Sequence, residues 1–212
     1  MGDFGRMVLA AAMLATGDAA AAERCRGPEG LPQPQAEQPL VPLEFHRAAA
    51  KGLGCVLPAD PAGQTKQRKG AAFLPCLKIG PVAIGDRMTA VEELLEAPDR
   101  ITTLDDSVEQ RAYFVRQRVQ PLPYFIVTYL DGVVMAAQLV GPPTDMPLTF
   151  SSLSLGDSQQ KVIDVLGQPA RRCPNTARGF ESWYWPPYPF AVDIGDSKVV
   201  GMKASVPVER DR

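Results

Sequence analysis

Four cysteines, one histidine and a cluster of aromatic residues are the side chains here whose types could do chemistry. Cys25, Cys55, Cys76 and Cys173 are even in number, and in an oxidising compartment they read as two disulfides with three possible connectivities. No C-x-x-C spacing is present, so these cysteines read as structural rather than redox-active. The rival use, a zinc site built from three of them plus His46, lacks ligand pairs at the usual spacing. His46 itself lies between Phe45 and Arg47, where a packing or surface role is the default. Glu92 and Glu93 are paired carboxylates in sequence only, because neighbours on a helix point apart. There is no G-x-S-x-G, no phosphate-binding loop and no H-E-x-x-H. The chain reads as non-catalytic, with no cofactor and no metal.

The aromatic residues carry more information. Trp183 and Trp185 share one face of a predicted strand, with Tyr184 on the other. The stretch Tyr124–Leu130 is apolar on both faces: Tyr124 and Ile126 on one, Phe125, Val127 and Tyr129 on the other. A solvent-facing row there would be an exposed apolar patch, the usual mark of a partner site. The expectation is that Phe125, Tyr129, Trp183 and Trp185 form a partner-binding face, with at least one tryptophan in the core. Burial of that row beneath residues 23–78, or beneath the other half of the chain, is the competing account.

The elements that must position these residues fall into four segments. Residues 1–22 have a short polar start with Arg6, an apolar run Met7–Ala15 and the small residues Ala20-Ala21-Ala22, the plan of a secretory signal peptide. The run is far shorter than the ~20 residues that span a bilayer. No small-residue triplet directly precedes Cys25, so no lipid anchor is expected, and the protein reads as periplasmic or secreted. Residues 23–78 are rich in Pro, Gly and Gln and hold three of the four cysteines. The part before Leu43 is extended and polyproline-like, and Leu43–Leu53 is a short helical candidate. The Lys66–Lys69 run reads as a solvated loop.

Beyond residue 79 the chain resembles itself. Ile84–Arg100 overlays Leu155–Arg171 at an offset of 71, with identity at six of seventeen positions. Tyr113 falls on Tyr184 at the same offset, which suggests a tandem duplication, with one copy at 79–147 and the other at 148–212. In each copy Gly-Asp is expected to offer a helix cap, with Ser158 an equal candidate in the second. Val91, Leu94 and Leu95, and Val162, Val165 and Leu166, recur at helical spacing, and Pro98 and Pro169 follow. Strands are expected at Ala112–Val119, Tyr124–Leu130 and Val133–Val140, then at Ser182–Trp185, Phe190–Ile194 and Lys198–Ala204. The turns Asp131-Gly132 and Gly195-Asp196-Ser197 suit hairpins. The expected fold class is α+β: two tandem helix-plus-antiparallel-sheet repeats behind a Pro/Cys-rich segment.

These residues resemble the SmpA/OmlA family of outer-membrane assembly lipoproteins, a unit that the β-lactamase inhibitory protein carries twice. Gly85, Val91, Leu94, Leu95 and Pro98 follow its pattern, as do Gly156, Val162, Leu166, Gly167 and Pro169. Val165 and Glu96 depart from it. The resemblance implies a protein-binding module acting as an envelope scaffold or assembly accessory. Its tandem form suggests the alternative of an inhibitor of a secreted hydrolase, and an enzyme without a recognisable motif is the second alternative.

Composition narrows the partners. The 212 residues carry 22 Lys plus Arg against 24 Asp plus Glu, a net charge of −2, which argues against a nucleic-acid partner. Without a spanning segment in the mature chain, the expected partner is an envelope or secreted protein. Twenty-one prolines and 18 glycines imply many short elements separated by turns.

Overall fold

A computed structural model of the chain describes residues 25–48, 52–58, 73–115, 121–144 and 147–206. The signal-peptide reading of residues 1–22 and the Lys66–Lys69 run lie outside the described residues. Twelve strands are described: β1 Phe45–Ala48, β2 Gly52–Cys55, β3 Lys78–Ile79, β4 Val82–Ala83, β5 Arg100–Thr103, β6 Val108–Phe114, β7 Tyr124–Leu130, β8 Val133–Val140, β9 Arg171–Asn175, β10 Phe180–Tyr184, β11 Phe190–Gly195 and β12 Lys198–Ser205. The helices are α1, Met88–Leu94, and α2, Gln159–Leu166, with a 3-10 turn at Leu74–Cys76. Eight strands form one antiparallel sheet in the order β5-β6-β7-β8-β12-β11-β10-β9. This corrects the expected α+β class of tandem helix-plus-sheet repeats. Helices of seven and eight residues are minor dressing on one large sheet, so the protein is mostly β.

Turn chemistry sets the hairpins. Asp131 and Gly132 take φ of 50° and 73° between β7 and β8, and Asp196 and Ser197 take 48° and 60° between β11 and β12. Paired positive φ matches the twist of the flanking strands. β7 and β8 begin and end as their sequence predicts. β5 and β9 were not expected, because RITT and RRCPN show no apolar alternation. They exist because β6 and β10 offer them unpaired backbone. Pro174 is tolerated in β9 because that strand lies at the end of the sheet.

The helices cover one face of the sheet. Ser158 caps α2, its Oγ accepting from Lys161 N at 3.2 Å, and Val162, Ile163, Val165 and Leu166 are all buried. The expected aspartate caps are not formed. Asp86 Oδ2 accepts from Ala83 N at 2.8 Å and Asp157 Oδ2 from Ser154 N at 2.7 Å, so both close the preceding turn instead. Of the stripe Val91, Leu94 and Leu95, Val91 is fully buried while Leu94 is 55% exposed. Beside α1 the Arg111 guanidinium takes up the space, bonded to Glu92 at 2.5 Å and Glu109 at 2.6 Å, with its Cζ 5.5 Å from the Tyr129 ring centre. Burial opposes the arginine's charge, but the two carboxylates hold it firmly protonated.

The Pro-rich segment straps onto this covered face. A polyproline-like chain makes no internal hydrogen bonds, so its carbonyls need partners from elsewhere. Arg172 Nε donates to Gly27 O at 2.9 Å, Gln168 Nε2 to Pro32 O at 2.6 Å and Gln160 Nε2 to Gln33 O at 2.9 Å. Arg26 makes an isolated antiparallel bridge to Arg172 on the outer edge of β9, and Cys25 is bonded to Cys173 beside it. The helix expected at Leu43–Leu53 is instead the β1–β2 hairpin, entered through Leu43 at φ 62°. Its Phe45 is fully buried, 4.8 Å from the Phe190 ring and 5.1 Å from Tyr188. A second disulfide, Cys55–Cys76, ties the hairpin to the 3-10 turn.

Glu181 receives the strap. It binds the Arg26 guanidinium, accepts from Trp183 Nε1 at 2.9 Å and lies 3.7 Å from Arg172 Nη1. Burial works to raise its pKa, but these donors and charges outweigh it and hold the carboxyl below its ordinary value.

Two outcomes follow from this packing. Leu166→Ala removes a fully buried side chain and should cost ~2–4 kcal/mol. Leu94→Ala, on an exposed side chain, should stay within about 0.5 kcal/mol, and denaturant melts read both. The lowered Glu181 pKa contributes stability that is present above its unfolded value, about 4.3, and is lost as pH falls through the folded value. Glu181→Gln should therefore flatten the stability loss below that pH, measured by denaturation at pH 7, 4 and 3.

Candidate functional site

Each proposed partner-binding aromatic lies on the covered face. Phe125 is 1% exposed, Tyr129 0%, Trp183 1% and Trp185 4%. Trp185 Nε1 donates to Gly167 O at 3.2 Å, and its ring stacks on Phe190 at 5.5 Å. Burial, with Tyr113 close by, pushes the Tyr129 hydroxyl well above its ordinary pKa. The expected partner surface at these four residues is corrected: they are core, because the helices and residues 25–48 and 52–58 pack on their side of the sheet.

The period of two then decides what faces out. Cross-strand pairs share a face, so the register draws rows across the sheet. One row runs Arg100, Ala112, Ile126, Gln138, Lys203, Ala191, Tyr184, Arg171, one residue from each of the eight strands. Among the described residues no helix lies over this face. At about 4.8 Å per strand the row spans ~34 Å.

This face is hollow. A groove of about 640 Å³ lies over its middle, walled by Tyr184 and the Pro186–Pro189 loop. A second hollow of about 360 Å³ shares Gln110 and Ile126 with it and reaches Arg100 and Phe114. A third of about 430 Å³ shares Gln138 and reaches Arg178. Small side chains make the depth, among them Ala112, Ala136 and Ala191. Tyr188 steadies the wall, its hydroxyl donating to Leu53 O at 2.7 Å.

Polar side chains on the floor are built in. Asp193 is 3% exposed, and its Oδ1 accepts from Ser182 Oγ at 2.5 Å and lies 3.4 Å from Lys203 Nζ. Gly201 stands opposite, where a Cβ would come to 3.0 Å from Asp193 Oδ2. Ser182, Asp193 and Lys203 thus join three neighbouring strands and aim the ammonium at Tyr184. Lys203 Nζ and Arg171 Cζ each lie 5.8 Å from the Tyr184 ring centre. Arg171 is exposed and meets no carboxylate among the described residues. Sequence reasoning missed Tyr184, Lys203 and Arg171 as a group. The available signal was alternation: Tyr184 was placed opposite the two tryptophans, so their burial turns it outward.

Metal ligation loses its candidates. Cys25–Cys173 and Cys55–Cys76 consume the thiols that the zinc alternative required. His46 is 3% exposed, with Nε2 accepting from Val41 N at 3.2 Å and lying 3.6 Å from Glu44. The two disulfides are consistent with an extracellular or otherwise exported location. Among the described residues no helix is long and apolar enough to cross a membrane.

No family model matches the chain. No curated protein matches its sequence. A cysteine-rich secretory protein from Staphylococcus aureus subsp. aureus Mu50 is similar in structure over 57% of this chain and 43% of its own, at 11% identity and a TM-score of 0.37. A likeness that low carries no functional information. The resemblance to the SmpA/OmlA family and the β-lactamase inhibitory protein is corrected: no family model supports it, and one sheet dominates the fold.

Lys203→Met would leave the buried Asp193 carboxylate facing Ser182 alone and should cost ~1–3 kcal/mol. Adding Asp193→Asn should recover part of that loss. Arg171→Ala should be neutral within about 0.5 kcal/mol, all by denaturant melts.

Proposed function

We propose that this protein is a non-catalytic binding module of the periplasm or extracellular space, a scaffold or assembly accessory that holds another protein on the open face of its sheet. One observation carries the reading: a hollow face ~34 Å across, built on the same rigid strands whose opposite side is the core. Rigid strands hold side chains more precisely than loops do, at little ordering cost on binding. The three hollows together exceed what one small molecule fills, and their continuity suits a protein surface. Tyr184 is the aromatic anchor of this face, flanked by apolar floor and long cations, the composition of interface hot spots.

The test is site-specific photo-crosslinking in the native envelope. Benzoylphenylalanine in place of Ile126 or Gln138 should capture the same protein, while the group in place of Glu93, on α1 across the sheet, should not. Tyr184→Ala should weaken that capture by about 2 kcal/mol with the fold intact. Capture from Glu93 alone would place binding on the wrong face.

A further inference from the structure

We propose that the occupant of the open face is an acidic protein segment, read by carboxylate pairing with Arg171 and Arg100 and by apolar contact with the floor between them. The inference rests on the binding reading above and adds the chemistry of the partner. The cross-sheet row carries Arg100, Lys203 and Arg171 and no acid. Asp193, in the adjoining row, is buried and already shared by Ser182 and Lys203. The row is therefore cationic in a chain whose net charge is −2. Asp196 lines the third hollow, away from this row, and on the covered side Glu92, Glu109 and Glu181 are bound by arginines.

Geometry sets how the segment is read. Arg171 lies along the Tyr184 ring with its guanidinium free of carboxylates among the described residues. A guanidinium on an aromatic plane keeps its donors available for a bidentate carboxylate. Between Arg171 and Arg100, at the far end, lie Tyr184, Ala191, Ile126 and Ala112 together with Gln138 and the Asp193-paired Lys203, so mainly apolar residues are expected between the partner's acids. A nucleic-acid strand fits poorly, since it presents a phosphate about every 3.4 Å and three cations spread over ~34 Å would match few of them.

The experiment uses the full chain with benzoylphenylalanine in place of Ile126, crosslinked in the native envelope, and the captured peptide sequenced. Arg171→Glu should lower the yield of the captured protein at least about tenfold, because like charges would then meet. The captured peptide should hold Asp or Glu on both sides of apolar residues. Should Arg171→Glu lower the melting temperature, Arg171→Ala with Arg100→Ala replaces it, both side chains being exposed. Capture unchanged by these variants, a captured peptide without acids, a product within the chain itself, or a nuclease-sensitive product would each overturn the inference. The first two of these results leave the protein-binding reading standing, whereas no capture from Ile126 or Gln138 removes both.

Discussion

The pairing of β8 with β12 is the contact on which the rest of the molecule depends. Five residue pairs, from Gly201–Val140 to Ser205–Ala136, join strands from the two halves of the chain into one sheet. On one side of this seam Leu139 meets Met202 and Ala137 meets Ala204, all within 2% of full burial. On the other side Gln138 meets Lys203. A shift of β12 by one residue would put Met202 into the open groove and Lys203 into the core. The seam thereby sets the register of a core and a surface at once.

Coverage on the core side comes from unequal sources. α2 brings four buried apolar side chains, whereas α1 brings Val91 and leaves room for the Arg111 cluster. The Pro-rich strap and the β1–β2 hairpin add apolar cover, through Leu31 and Phe45, that the helices alone do not provide. The strap makes hydrogen bonds through its carbonyls and is anchored by the Cys25–Cys173 disulfide, which closes a loop of 148 residues. A crosslink over so long a span restricts the unfolded chain most strongly. It also occupies the outer edge of β9, a place where strands otherwise recruit other chains.

The two faces divide the charges between them. On the covered side Glu181 is matched with Arg26 and Arg172, and Arg111 with Glu92 and Glu109. The open face carries Arg100 and Arg171 at its two ends, without a carboxylate partner among the described residues, and a matched trio, Ser182–Asp193–Lys203, in its floor. A buried carboxylate is tolerated there because a hydroxyl and an ammonium both serve it. That arrangement holds Lys203 against Tyr184 and gives the groove a stiff centre.

By itself the sequence determined what is local. The Asp131-Gly132 turn and the alternation around it mark β7 and β8 to the residue, since positive φ at both turn positions admits few residue types. An even set of cysteines without C-x-x-C pointed to disulfides, and Val162, Val165 and Leu166 marked the buried stripe of α2. Tertiary structure decided the rest. β5 and β9 have no apolar pattern and form only because a neighbouring strand supplies their partners. Leu43–Leu53 has helical spacing, but Gly52 at φ 73° and the burial of Phe45 favour a hairpin. Above all, alternation in Tyr124–Leu130 separates two sets of side chains without saying which set meets solvent. Both sets are apolar, so only the tertiary packing that buries Phe125, Val127 and Tyr129 in the core turned Ile126, and with it Tyr184, toward the open face.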